Sequence, residues 1–594
     1  AEAGVPDVLA KMVLKLLEKE PEQRYQSAKG LLGDLEEFLE GNTAFEPGRN
    51  ERCVNLSYRT RLVGRDREFG QLVELCNRAR EGKGTICLIG GEPGCGKTRL
   101  VAELRNTVYQ GGGVFIEGKC FSGENKTPYG VFQDALNSYM NFFGGYPEEK
   151  KSRIRLAVRE AVGSTGAIIV NLNPRTRDIL GACRPVLPLE PEQENLRFLM
   201  TVTRFFLTLA RGENGLVLQL DDMQWIDESS MKILAEYQSM IGGHPLLILG
   251  TYRAMEVPAG HGLQALLAGA GPEPSPLRQL VLERFDRERT RELVAGLLHD
   301  DSPDIDGIVE AAYLRSKGNP LFTIELIRQM REEQVIGDSG GIWRINPDRL
   351  LRISFSGTII ESILKRIATL TESEQELLSH AALIGKKFEA ATLFRLLPAF
   401  RQEEIVQIID KAIAMQLLEE DHQEKGKLIF VHDRIKEAFF QLLGERERRE
   451  LHLKIARDLE GICRAEGMDN CTLLYDMAHH FIEAGDDAKI LEYAWPAALR
   501  AWSSYAIKDA IRYLTHVDNL TTDPRSPRWV ELRKTFSRLH LYLGNPDKVL
   551  ALSRELLEYV ATRTEKAEIY ENMCGACSIK GDFANCDRYG KTGL

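Results

Sequence analysis

No apolar run in these 594 residues approaches the roughly 18 needed to cross a bilayer, so the sequence offers no membrane span. Cysteine is sparse and odd in number, 11 in all, and scattered without the regular spacing of a disulfide framework. That usage predicts reduced thiols and a cytoplasmic location. An excess of positive charge is missing too. Lys and Arg number 77 against 87 Asp and Glu, a formal net of −10. A protein that coats nucleic acid needs the opposite sign, although a local basic patch is not excluded. The chain also lacks an initial Met, opening on Ala1 and stopping in mid-repeat at Leu594, which suggests a piece of a larger polypeptide. What remains is an ordinary globular composition, 43% hydrophobic and 28% charged. Its length suits about three to five domains.

The most informative stretch is Gly91-Glu92-Pro93-Gly94-Cys95-Gly96-Lys97-Thr98. A short apolar run, Thr85 to Ile89, precedes it, and a helical pattern from Arg99 to Leu104 follows. In that context the glycines let successive N–H groups turn inward onto phosphate oxygens at a helix N-terminus. Lys97 is expected to reach the β- and γ-phosphates and the Thr98 hydroxyl to bind Mg²⁺. Gly91, Gly94, Cys95, Gly96 and Arg99 complete the expected nucleotide contact. Downstream, Leu216 to Leu220 reads as a buried strand that ends in Asp221-Asp222, where ligands bind in open α/β sheets. Asp221 is expected to hold Mg²⁺ through water, and Asp222 to orient or deprotonate the attacking water. A third apolar run, Leu246 to Gly250, leads into Arg253.

Two resemblances extend this reading. Lys15 to Ala28, with Arg24-Tyr25-Gln26-Ser27-Ala28, resembles the final helices of a Ser/Thr protein kinase. Residues 1–41 read as two helices, with Leu9, Met12, Val13, Leu16 and Leu17 at helical spacing. No kinase catalytic loop or Mg²⁺-binding triplet is present, so this chain itself cannot act as a kinase. Val63-Gly64-Arg65, followed by Glu68, resembles the entry of the STAND class of P-loop ATPases, close to the AAA+ proteins, where the segment packs near adenine. The same resemblance gives Arg253 a γ-phosphate-sensing role, Pro320 of Gly318-Asn319-Pro320 an adenine contact, and His432 of His432-Asp433 a contact to the ADP β-phosphate. On residue chemistry alone, Arg253 fits a surface ion pair, and Pro320 and Asp433 fit plain helix starts.

Residues 358–443 read as helices, a hairpin from Leu417 to Val431 and a closing helix, a winged-helix pattern. Residues 370–443 hold 13 Asp/Glu against 9 Lys/Arg, and the helix from Gln402 to Gln416 carries Glu403, Glu404 and Asp410 against Lys411. Phosphate contact needs the reverse, so no nucleic-acid partner is expected. From 446 onward the chain is helical, with turn signals at Gly485, Gly544 and Gly581. This looks like tetratricopeptide-type repeats, which bind protein partners or signals. Cys574 and Cys577 have metal-ligand spacing but no second pair, and small-residue packing is the better reading. His479-His480 reads as a solvated helix face.

The expected fold is α/β plus all-α. Residues 1–41 form kinase-like C-terminal helices and 42–60 a linker. Then come a parallel-sheet P-loop domain at 61–255, a helical lid at 256–350, a winged helix at 351–445 and helical repeats at 446–594. The expected function is an ATP-binding, slowly hydrolysing signalling switch of STAND type within a multidomain Ser/Thr kinase regulator, closed with ADP, open and self-associating with ATP, with Mg²⁺ as cofactor. The rival readings are an AAA+ regulator that places its winged helix on DNA, and a non-hydrolysing scaffold held together by nucleotide.

Overall fold

The structure is a computed structural model. It describes residues 6–593 apart from 18–23, 26–27, 40, 43–44, 46, 48–61, 121–127, 188, 190, 272–274, 340–341, 347, 350–360, 362–363, 365, 386, 416, 421–425, 432 and 467–472. Its centre is a five-stranded parallel sheet in the order β2-β3-β4-β1-β5. The strands are β1 (Thr85–Gly91), β2 (Val114–Lys119), β3 (Leu216–Asp221), β4 (Leu246–Tyr252) and β5 (Leu277–Leu282). β1 and β4 are buried throughout, as befits central strands covered on both faces. The crossovers place the loop after β1 and the carboxylates after β3 at the same, C-terminal edge of the sheet.

β5 corrects one expectation. It falls inside 256–350, read from sequence as a helical lid, yet it pairs with β1 from Ile86 opposite Leu277 to Gly91 opposite Leu282. It is an edge strand with exposed Gln279 and Val281, so it lacks the continuous apolar run that marked β1, β3 and β4. The same stretch also holds an antiparallel pair, β6 (Ile336–Ser339) with β7 (Ile342–Ile345). Its helices bury their own core around Leu293, Val294, Ile308, Ile327 and Trp343.

Beyond residue 366, a helix at Glu372–Ile384 opens with a complete capping box between Thr371 and Glu374. β8 (Lys387–Glu389), helices Ala390–Leu396 and Gln402–Ala414, β9 (Leu418–Glu420), β10 (Lys427–Phe430) and helix Asp433–Leu442 follow. The expected hairpin is β9 with β10. It gains β8 as a third, antiparallel strand, too short to leave a period in the sequence.

From Glu445 each helix packs on the next, and Gly485, Gly544 and Gly581 end their helices with φ of +72°, +67° and +72°. The core under the sheet does not stop at this region. It runs from Phe198 and Leu220 through Tyr475, Phe481 and Tyr513 to Leu539. Near residue 1 the helices Asp7–Leu16 and Ala28–Leu39 bury Val8 and Met12 against Phe45 of the expected linker. Val13, Leu16 and Leu17, expected on the buried face, are exposed. Among the described cysteines eight are free thiols, while Cys463 is disulfide-bonded, against the expectation of uniformly reduced thiols. No helix among the described residues is long and apolar enough to cross a membrane.

Candidate functional site

The loop after β1 turns on glycines at positive φ, +81° at Gly94 and +96° at Gly96. It then feeds the helix Lys97–Gln110, whose first N–H groups have no partner within the helix. A Cβ at Gly96 would meet nothing within 4 Å, so this side of the loop has room for a phosphate. Thr98 is exposed in the first turn beside it. Lys97 is buried, and its ammonium donates to the carbonyls of Gly91 at 2.8 Å and Glu92 at 3.0 Å, across the loop. Burial pulls its pKa below the usual lysine range. Arg253 adds to that effect, and Cys95, Asp222 and Asp221 oppose it.

The two carboxylates at the end of β3 are held differently. Thr251 on β4 donates its hydroxyl to Asp221 and accepts the Asp222 amide at 3.1 Å. Asp222 is buried and has φ of +58°, a conformation that a non-glycine residue adopts at a cost of about 1–3 kcal/mol. Gln224 donates to its Oδ1 at 2.9 Å, and Arg253 Nε lies 3.4 Å from the same oxygen. Burial pushes the Asp222 carboxyl up. Repulsion from Asp221 adds to this, while Lys119, Gln224 and Arg253 counter it.

Lys119 escaped sequence reasoning. It ends β2 directly opposite Asp221, and its ammonium stands 3.8 Å from Asp221 Oδ2 and 3.6 Å from Asp222 Oδ2. Only the register of β2 on β3 reveals it. A cation between two carboxylates marks the place where a divalent ion's charge fits. The oxygens of Thr98 and Asp221, the two residues expected to hold the ion, are of the kind that Mg²⁺ takes.

Arg253 is buried, not a surface ion pair. Its guanidinium lies 4.8 Å from the Trp225 ring and donates to both oxygens of Glu256 at 3.1 Å. Glu256 also accepts from Arg434 at 3.2 Å, so the contacts run without a break from Asp222 to the helix Asp433–Leu442.

The remaining expected residues have varied positions. Val63 packs against the core of the 285–345 helices, and Gly64 is closed in by the Arg289 side chain. The Arg65 side chain is turned into the protein. It donates to the Cys95 and Glu283 carbonyls, pairs with Glu68 at 3.1 Å and lies 4.7 Å from the Phe285 ring. It braces the phosphate loop from behind. Arg99 lies on the outer face of its helix and pairs with Glu103 at 3.2 Å. Pro320 opens the helix Pro320–Glu332. The preceding Asn319 side chain donates to Pro93 O at 2.9 Å, and the Leu321 amide donates to Gly94 O at 3.2 Å. A Cβ at Gly94 would stand 2.8 Å from Asn319 Oδ1, so this segment rests directly on the phosphate loop. His432 lies outside the described residues.

Residues 61–249 match the family model of the AAA ATPase domain. The matched span contains β1 to β3, the start of β4, the phosphate loop and the paired carboxylates, while β5 lies beyond it. Across the longer chain, a hybrid signal transduction histidine kinase G of Dictyostelium discoideum is 23% identical over 77% of this chain and 17% of its own length. An uncharacterised protein of Rhizobium meliloti is 24% identical over 77% of this chain and 42% of its own length. The chain thus spans less than half of either relative. Among solved structures, a STAND protein with a tetratricopeptide repeat sensor from Pyrococcus horikoshii aligns with 90% of this chain and 72% of its own, at 15% identity and a TM-score of 0.44.

Proposed function

We propose that the chain is a nucleotide-operated signalling switch of the STAND type, which binds ATP and ADP and turns over slowly. The observation that carries this reading is the line of contacts Asp222–Arg253–Glu256–Arg434. It ties the carboxylate expected to act on the attacking water to a helix of the 367–443 segment, read here as a regulatory winged helix. A lone hydrolase needs no such tie. A switch does, because its two states must differ in nucleotide affinity by the coupling free energy.

Each residue then has a role. The loop amides and Lys97 bind the phosphates, and Thr98 and Asp221 hold Mg²⁺, which supplies charge neutralisation at the transferring phosphoryl group. Asp222 orients water and accepts its proton. Arg253 is assigned to the terminal phosphate once it leaves Asp222. In the described conformation Lys97 is drawn onto its own loop, Asp222 is held by Gln224 and Arg253, and Asn319 sits on the loop. These restraints suit a resting, closed form and slow hydrolysis. Asp222 is also shorter than the Glu common at this place in AAA+ proteins.

The acidic helix Gln402–Ala414 argues against the DNA-reading alternative. Its basic residue Lys411 is engaged by Glu374 at 2.7 Å, while Glu403 and Asp410 face solvent. The helices from Glu445 onward are read as the sensor for a protein partner or signal, and the resemblance at Lys15 to Ala28 as the end of a kinase module. The test of the site is direct. Lys97→Ala is expected to lower nucleotide affinity at least about tenfold while the helical content is kept, and Asp222→Asn to retain binding but lower hydrolysis about 100-fold. Equilibrium binding and phosphate release measure the two. Undiminished binding in Lys97→Ala contradicts the site.

A further inference from the structure

His479 and His480 do not lie on a solvated face. Both turn toward His452 across the contact between the helices Glu445–Glu466 and Leu474–Ala484. His452 is buried, with 8% of its surface exposed. Its Nδ1 lies 2.7 Å from Nδ1 of His480, and the ring centroids of His452 and His479 are 5.8 Å apart. Each of the three imidazoles offers one nitrogen, and these atoms all lie within 4.8 Å of one another. His479 Nδ1 is buried with no hydrogen-bond partner among the described residues. One helical turn on, Glu483 Oε1 stands 3.9 Å from that nitrogen.

This arrangement is costly without an occupant. A buried ring nitrogen without a partner forfeits its hydration, and three imidazoles in contact cannot all carry charge. Burial, with Arg448 beside His452 and Arg512 beside His479, holds the rings toward the neutral form, against the opposing pull of Glu483 on His479. His516 also faces Arg512 and Glu483. The neutral ring is the form that ligates.

We propose that His452, His479 and His480, with Glu483 as the fourth ligand, form a binding site for a divalent transition metal of the zinc class. Tetrahedral ligation at about 2.0–2.1 Å places ligand atoms roughly 3.3 Å apart; the imidazole nitrogens here lie from 2.7 Å to within 4.8 Å of one another, and Glu483 stands 3.9 Å from His479. Imidazole donors select Zn²⁺, Co²⁺ or Ni²⁺ over the oxygen-seeking Mg²⁺ and Ca²⁺. The Glu483 carboxylate offsets one of the two guanidinium charges. The position gives the metal a purpose. Leu451 and Ile455 of the first helix belong to the core of the 367–455 segment, whereas Met477, Ala478 and Phe481 of the second belong to the core shared with the nucleotide domain. A metal here pins that junction.

The test uses the whole 594-residue chain, stripped with a chelator and titrated with Co²⁺. One equivalent is expected to bind, with the visible bands of four-coordinate cobalt, and to be displaced by Zn²⁺. His452→Ala and His480→Ala are each expected to weaken binding by at least about tenfold. Cys574→Ser combined with Cys577→Ser leaves it unchanged. X-ray absorption of the Zn²⁺-loaded wild type should reveal a nitrogen and oxygen shell with imidazole scattering, and this reading does not depend on any variant folding. Sulfur scattering, equal affinity in folded histidine variants, or no stoichiometric binding overturns the proposal.

Discussion

Asp222 and Arg65 illustrate how much a residue's chemistry depends on what surrounds it. The spacing from the phosphate loop and the apolar run of β3 made the two carboxylates legible, because both signals are local in sequence. The Lys119 counter-charge was not legible, because it is a matter of strand register. Arg65 was recognised as important, but its direction was hidden. Its guanidinium is spent on Glu68 and on the Cys95 and Glu283 carbonyls. Arg65→Ala removes a buried cation and leaves those acceptors unpaired, at a cost of about 2–4 kcal/mol. Thermal unfolding followed in the nucleotide domain should therefore fall, and nucleotide affinity with it, as the loop loses its brace. An unchanged melting temperature contradicts the bracing role.

Elements with a strong period were readable. β1, β3 and β4 are continuous apolar runs, and Ile405, Ile408, Ile409 and Ala412 form the buried face of their helix as the spacing predicts. β5 and β8 were not readable, since one is a half-exposed edge and the other only three residues long. The histidine pair was misread because a helical face is defined by its neighbours, and His452 lies 28 residues before His480.

The helix Gly130–Gly144 carries a pH-dependent term of its own. Its Asp134 accepts the Lys119 amide at 3.5 Å, and burial pushes the carboxyl up to about 7, with Asp476 and Glu117 adding to the rise and the Lys119 amide opposing it. The unfolded carboxyl titrates at about 3.9. Between that value and about 7 the folded state holds the extra proton. Its stabilising contribution is therefore complete below about pH 4 and is lost as pH rises through 7. Urea midpoints measured from pH 5 to 8 are expected to decline with a steeper slope in wild type than in Asp134→Asn. Parallel curves contradict this assignment.

At the scale of the molecule, two sets of contacts among the described residues tie the nucleotide domain to the segments beyond residue 366. One is packing. Phe198 touches Tyr129 and Tyr505 at ring distances of 4.8 and 5.7 Å, and Lys508 pairs with Glu228. The other is the polar line from Asp222 to Arg434, whose last link joins Glu256 to Arg434 across 178 residues and is invisible to any local pattern. Together they join the sheet, the 367–443 segment and the helices from Glu445 onward, and in the proposed switch a signal at those helices releases the site. The most direct measurement is molar mass by light scattering with ADP and then with a non-hydrolysable ATP analogue, on wild type and Arg434→Ala. The account expects a larger assembly with the analogue, reached at lower protein concentration in the variant. An unchanged mass in both proteins, with nucleotide demonstrably bound, contradicts the switch and favours a nucleotide-stabilised scaffold.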